Sequence, residues 1–539
     1  MARITKNFVT LIRTRVKTAI RLILLLFAAA SYGQDGPQLR IGRIIIETVD
    51  VYSSPEAQNG FFYRAAARLH VETRGSIIRK FLLFREGDVY APSRLEETER
   101  NLRAQHYLKS ASVTAQPPHD GVVDVLVSTQ DAWSIAPETQ AGSKGGTSTY
   151  GATVSEGNLL GLGKAISLGW DKQVDRTRIA FDYSDPMFFK GYWDTRVTYG
   201  HTSDGNDHRL ALRRPFYSFS TPWAMELSFL GFRRDDRLYT ESFTSARFAH
   251  EMRRAVASWG WAINPSDTVA NRIVTGLRFD RDRFATRETF AASTPPPDRD
   301  YRYLFARFDH AENNFVKMNF INKDVRFEDF NLGRQYSVEA AVSPRITGAR
   351  VNSGFTSVTY SDGVCTGPSG FILPSASIQS RFDGGVRNAI VRGSIYGVKR
   401  TGDTHPSTFV GRIAINNGWR LDGEDQFFAD GATGLRGYRT HAFSGSRSIV
   451  INAEQRLYLG RELLQLYSPG IVAFADAGNA TYGGLAELMR LKIDVGLGIR
   501  IGLPRTPKNL FRLDLAYALN RDARGKRGLL VSFSSGQAF

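Results

Sequence analysis

Arg436 lies in the stretch GATGLRGYRT, residues 431–440, within a polar segment running from about Leu421 to Ser448. A solvated surface arginine needs no such setting. A guanidinium offers a planar fork of donors that can engage two carboxylates, and the pairing offsets the cost of desolvating the charge. Two acids downstream stand at fitting positions. In SIVINAEQRLYL, alternation places Ile449, Ile451 and Leu457 on one face and Glu454 on the other. In IVAFADAGNA, Phe474, Asp476 and Gly478 share a face at two-residue spacing, opposite Ala473, Ala475 and Ala477. If these are successive strands of one wall, both carboxylates face the same interior, and a loop tucked inward brings Arg436 to both. Gly434 and Gly437 let the backbone turn tightly at the loop tip, with Leu435 and Tyr438 completing the motif. Alone, the tripeptide RGY is an ordinary surface sequence; the two acids give it meaning.

A carboxylate pair could also do acid–base chemistry, but the arginine already accounts for both acids structurally. The nine histidines are scattered, and no Ser/His/acid arrangement falls on interior-facing positions. The one cysteine, Cys365 in SDGVCTGPSG, rules out an intrachain disulfide and a cysteine-rich metal site. The expectation is therefore no enzyme, no cofactor and no metal.

The elements that must hold these residues are strands. Beyond Trp133 helical periodicity almost vanishes and period-two alternation takes over. In LKIDVGLGIRIGL, Leu491, Ile493, Val495, Leu497, Ile499, Ile501 and Leu503 alternate with Lys492, Asp494, Gly496, Gly498, Arg500 and Gly502. FRLDLAYAL sets Phe511, Leu513, Leu515, Tyr517 and Leu519 against Arg512, Asp514, Ala516 and Ala518. IAFDY, WDTRVTY and WAMELSF follow the same rule. A soluble sandwich also alternates. An apolar face opposed by Gly, Ala, Arg and Asp instead suits lipid outside and a polar lumen within, and a sheet in lipid must close on itself. At about 10 residues per crossing plus loops, residues 134–539 suffice for roughly 16 antiparallel strands of a transmembrane β-barrel. The first strand is expected within TQAGSKGGTSTYGATVSEGN and the last in GLLVSFSSGQAF. Both are rich in Gly and Ser, so the seam between them is expected to be weak. Phe533 and Phe539 are candidates for a C-terminal assembly signal.

The chain of 539 residues has a formal charge of +17. Arg3, Lys6, Arg13, Arg15, Lys17 and Arg21 precede the apolar run LILLLFAAA and the small-residue stretch SYGQ. That order describes a secretory signal peptide, residues 1–33, and the apolar run falls short of the roughly 20 residues of a spanning helix. The remaining charge forms no stripe, so nucleic acid is not an expected partner. Between these segments, residues 39–130 mix LRIGRIIIETV, the helical PSRLEETERNLR with a capping box of Ser93 and Glu96, then LKSASV and GVVDVLVS. This is one small α+β domain.

The order GLRGY, GSRSIVINAE, FADAG resembles the signature of the outer-membrane insertase superfamily typified by BamA, which includes TamA and the two-partner secretion transporters. EGNLLGLGK and YSDPMFF resemble early barrel strands of that group. FREGDVY and RLEETERNLRAQHYLKSASV resemble a polypeptide-transport-associated (POTRA) domain. The resemblance implies that Arg436 of an inward-folded loop contacts Glu454 and Asp476. It also implies a bacterial outer-membrane location with the POTRA-like domain in the periplasm. Expected partners are client polypeptides (outer-membrane or secreted proteins), outer-membrane lipids, and periplasmic chaperones or lipoproteins. BamA carries several POTRA domains, and two-partner transporters usually two and a plug helix, so the single domain here points to a specialised or accessory member. The expected function is insertion or translocation of polypeptides through the weak seam. Alternatives are export of one dedicated secreted partner, a passive pore, or a structural surface antigen.

Overall fold

The computed structural model describes residues 38–51, 70–144, 147–189, 191–288, 294–323, 325–460, 462–464, 466–503, 505, 510–522 and 525–539. The expected signal peptide lies outside them. The chain divides into two compact units: Met1–Ile45, Arg85–Ala91 and Ala115–Val125, and Ile46–Phe84, Pro92–Thr114 and Leu126–Phe539.

The first unit is small. Within it Asp124 accepts the backbone N–H of Arg43 at 2.7 Å and pairs with the Arg43 guanidinium at 3.1 Å. Gly42 makes room, since a Cβ there would lie 2.3 Å from Asp124 Oδ1. The strands Arg40–Val49, Leu108–Ala115 and Val122–Asp131 form a three-stranded sheet with the last of these in the centre. The helix Pro92–Arg103, part of the second unit, starts with proline, whose missing N–H costs nothing in a first turn. The expected capping box does not form. Ser93 sits inside the helix and donates to Asp267 at 3.1 Å.

In the second unit, antiparallel strands close into a ring from Ile135–Lys144 to Leu529–Ser535. Among the described residues the ring holds twenty strands, counting Val364–Cys365 as a continuation of Ser353–Ser361 against the same neighbour. The expectation of roughly 16 assumed longer connections. Instead, turns such as 203–204 and 241–242 join neighbouring strands directly. The stretch assigned to the first strand covers parts of the first two, Ile135–Lys144 and Thr147–Glu156.

Alternation sorts the two faces. Ile493, Val495, Leu497, Ile499 and Ile501 are exposed, whereas Asp494 and Arg500 are wholly buried. Phe511, Leu513, Leu515 and Tyr517 are exposed, and Arg512, Asp514, Ala516 and Ala518 are covered. Trp223 stacks on Trp259 at 4.8 Å with Trp193 beside it, an aromatic cluster suited to a membrane–water interface. An enclosed ring with so apolar an exterior is a transmembrane β-barrel. The strands Trp223–Thr240, Phe243–Ile263 and Val269–Glu288 are far longer than the 9–11 residues of one crossing. Their far ends carry exposed ion pairs such as Arg233 with Glu251.

Candidate functional site

The connection 420–446 folds into the barrel, its base closed by a short ribbon of Phe427–Ala429 on Phe443–Gly445. Asp430 organises the loop from within. Its carboxylate accepts the N–H groups of Ala432 and Thr433 at 2.9 Å and of His441 at 2.6 Å, and its carbonyl accepts those of Gly434 and Leu435. Such Asx geometry is a turn device the FADGATG sequence could have suggested. Gly434 stands at φ +124°, a conformation that needs glycine. Leu435 and Tyr438 are buried with Ala442, Phe443, Val450, Ala480 and Ala518, and the Tyr438 hydroxyl donates to the Ile493 carbonyl at 3.0 Å.

Arg436 is 1% exposed. Its Nε donates to Asp476 Oδ2 at 2.7 Å, its Nη2 to Asp476 Oδ1 at 2.9 Å, and its Nη1 to Glu454 Oε1. The guanidinium carbon lies 3.4 Å from the centroid of the Phe474 ring, which adds a cation–π contact. Asn452 ties loop to wall, donating both to Gly434 O at 2.7 Å and to Asp476 Oδ1 at 2.8 Å. Two glycines clear the approach. A Cβ on Gly478 would lie 2.5 Å from the Ile449 carbonyl, and one on Gly437 would lie 2.5 Å from Asp494 Cβ.

The cluster is larger than an arginine and two acids. Arg456 donates to Glu454 Oε2 at 2.6 Å, Arg500 pairs with Asp514 at 2.5 Å and approaches Glu454 at 3.5 Å, and Arg512 lies 3.4 Å from Asp514. Asp494 sits opposite Asp476 in the register. Four guanidiniums and four carboxyls thus share one buried wall, which lets the lumen hold charges whose desolvation would otherwise be prohibitive. The alternation that selects Glu454 also selects Arg456, two positions on, as it does Arg500 and Asp514.

The two terminal phenylalanines part company. Phe533 lies on the last strand and is the one position there that pairs with the first strand among the described residues, opposite Ser143. By contrast the first strand pairs with its other neighbour at ten positions, Ile135↔Glu156 to Lys144↔Thr147. After Ser535 the chain turns at Gly536, at φ +80°, and leaves the wall. Gln537 then meets Arg500 and Tyr458 at 3.0 Å each, and Phe539 lies 5.7 Å from the Arg456 guanidinium, off the strand's outer face. Among the described residues no group of His, Cys, Asp and Glu could hold a metal ion.

No protein-family model and no curated protein matches this sequence. Solved structures offer loose likenesses. BamA from Haemophilus ducreyi lacking POTRA domains 1–3 is 13% identical, over 92% of this chain and 84% of that one, with a TM-score of 0.36. CdiB from Acinetobacter baumannii is 12% identical over 93% and 74%, with a TM-score of 0.47. CdiB from Escherichia coli is 12% identical over 94% and 92%, with a TM-score of 0.43.

Proposed function

We propose that this chain is a bacterial outer-membrane barrel that assists the insertion or translocation of polypeptides, with its POTRA-like portion in the periplasm and no reaction catalysed. One observation carries the reading: the wall is fully laddered except between its last and first strands, where a single paired position is found among the described residues. A sheet edge in lipid is costly unless another strand completes it, so so thin a junction is a natural place to admit a client strand or chain. The loop held by Arg436, Glu454 and Asp476 braces the wall three and four strands before the last one, so the seam can loosen while the rest of the barrel stays closed. Two connections that fold into the lumen speak against a passive pore.

The test uses the paired positions. In a Cys365→Ala background, Ser143→Cys with Phe533→Cys permits a disulfide across the seam. The expected result is that oxidised cells lose client proteins from the outer membrane or medium and regain them with reductant. An unchanged outer-membrane and secreted proteome with the seam fully cross-linked refutes the reading.

A further inference from the structure

The connection between the strands Arg299–Glu312 and Gln335–Ser343 does not stay at the rim. It forms a short ribbon, Phe315–Met318 on Glu328–Asn331, and its tip enters the barrel. Ile321 and Leu332 are almost wholly buried and pack with Met318 against Phe371, Val398 and Val410 of the wall, with Phe539 against the same cluster. The Phe320 carbonyl accepts the Thr408 hydroxyl at 2.9 Å, and the Ile321 carbonyl accepts Arg456 Nη1 at 2.6 Å. Phe320 stands at φ +59°, where a bulky side chain is found only under constraint, and its ring lies 5.3 Å from that of Tyr458.

The same two wall residues hold the tail of the last strand. Tyr458 accepts a hydrogen bond from Gln537, and Arg456 lies beneath Phe539. At its outer end the ribbon is gripped by the helix Pro92–Arg103. Arg103 forks onto Asp329 at 2.6 and 3.0 Å while also engaging Glu99 one turn back. Lys317 reaches Glu99 at 2.8 Å, and Arg100 donates to Asn313 at 3.2 Å with its guanidinium 4.3 Å from the Phe315 ring. One face of one helix therefore contacts the ribbon through three charged side chains, and these grips are only partly buried.

We propose that residues 313–323 and 325–334 form a built-in plug, clamped outside by the Pro92–Arg103 helix and anchored inside on Arg456, which keeps the tail Gly536–Phe539 folded into the lumen. Buried apolar packing holds the inner end, whereas exchangeable ion pairs hold the outer end, so movement of the helix is the step that frees it. Freeing the ribbon removes the packing partner of Phe539 and a bond to Arg456, and so loosens the strand that borders the seam. The plug's effect on permeability stands apart from the proposed function; its use in admitting a client rests on that reading.

The experiment takes purified full-length protein carrying Cys365→Ala and Phe539→Cys. Ion conductance is recorded in planar bilayers, and the tail thiol is challenged with a membrane-impermeant maleimide. Replacing residues 316–330 by a short Gly-Ser turn should raise conductance several-fold and speed labelling by a similar factor. Lys317→Ala with Asp329→Ala, which leaves the buried packing intact, should give intermittent openings and intermediate labelling. Barrels are scored as folded by their heat-modifiable gel mobility, and if the deletion fails to fold, the double substitution decides. Parental conductance and labelling in a folded variant overturn the proposal. A rise in conductance without faster labelling supports the plug and overturns its hold on the tail. None of these arms involves a client, so a negative result for client assembly leaves them standing.

Discussion

Replacing Arg436 by alanine removes three hydrogen bonds to two buried acids and leaves those acids behind. The two are not equally orphaned. Glu454 keeps Arg456 at 2.6 Å and Arg500 at 3.5 Å. Asp476 keeps only Asn452 among its described side-chain donors, and its neighbour in the register is a further acid, Asp494. Breaking a buried pair on one side typically costs about 3–5 kcal/mol, most of it the stranded charge. At about 1.4 kcal/mol per tenfold, the ratio of seated to unseated loop should fall by roughly two to three and a half orders of magnitude. If the stranded Asp476 charge is the cause, Asp476→Asn in the same chain should recover part of the loss, a coupling of about 0.5–3 kcal/mol. Arg436→Lys keeps the charge but loses the two-pronged grip on Asp476, and should fall between the two.

In the orientation proposed above, the loop 420–446 faces the cell exterior, so protease added to intact cells reads its seating. Barrel integrity is read from the temperature at which folded gel mobility is lost. Arg436→Ala should be nicked within 420–446 while the barrel still migrates as folded at ambient temperature. Wild-type protection of Arg436→Ala, or no rescue by Asp476→Asn, refutes the reasoning.

Three further outcomes follow from particular contacts. Gly437→Ala should cost about 1–3 kcal/mol by overpacking, since the new Cβ would meet Asp494 Cβ at 2.5 Å; Gly393→Ala, with nothing within 4 Å, is the matched control, and equal melting of the two in gel-shift assays would contradict this. Burial holds the Glu97 carboxyl above its ordinary range, partly countered by the Phe219 N–H and then Arg100, so its contribution to helix docking is full below about pH 4.3 and is lost as pH rises through the elevated value. Glu97→Gln keeps an acceptor for Phe219 and should flatten the pH dependence of protection of residues 92–103 against proteolysis, whereas an unaltered slope would rule Glu97 out as its source. Glu454→Gln should expose both the 420–446 loop and the Phe539 tail, whereas Asp476→Asn should expose the loop alone; equal patterns in the two variants would count against a shared anchor.

Much of the wall was legible because its chemistry is local. Two-residue spacing tells which side of a strand meets lipid, and it placed Arg500, Asp514 and Glu454 inside without knowledge of any partner. The same rule fails at Ile449, which has the parity of exposed Leu457 yet is only 8% exposed. Residues 313–334 escaped notice for a different reason. Their strands are four residues long and their anchor, Arg456, lies far along the chain, so neither period nor proximity marks them. Ser93 looked like a cap because Glu96 follows it, but the proline before it already starts the helix and Asp267 claims its hydroxyl. The inward turn of the tail left no periodic mark either, because a positive φ at Gly536 ends the strand three residues before Phe539.

Glu454 explains why the arginine loop and the ribbon belong in one account. Its two oxygens are divided: Oε1 takes Arg436 from the loop, and Oε2 takes Arg456, which also holds the ribbon at Ile321 and lies under the tail at Phe539. Two infoldings that enter the barrel separately therefore meet at one carboxylate, the loop directly and the ribbon through Arg456. Arg456 belongs to the wall and stays beside Glu454 when the ribbon withdraws, so the two seatings are linked through one carboxylate without any change in the wall's ladder. A barrel built this way can loosen its tail while the loop stays seated on Asp476 and Glu454, which is the behaviour that the proposed opening at the sparsely paired seam requires.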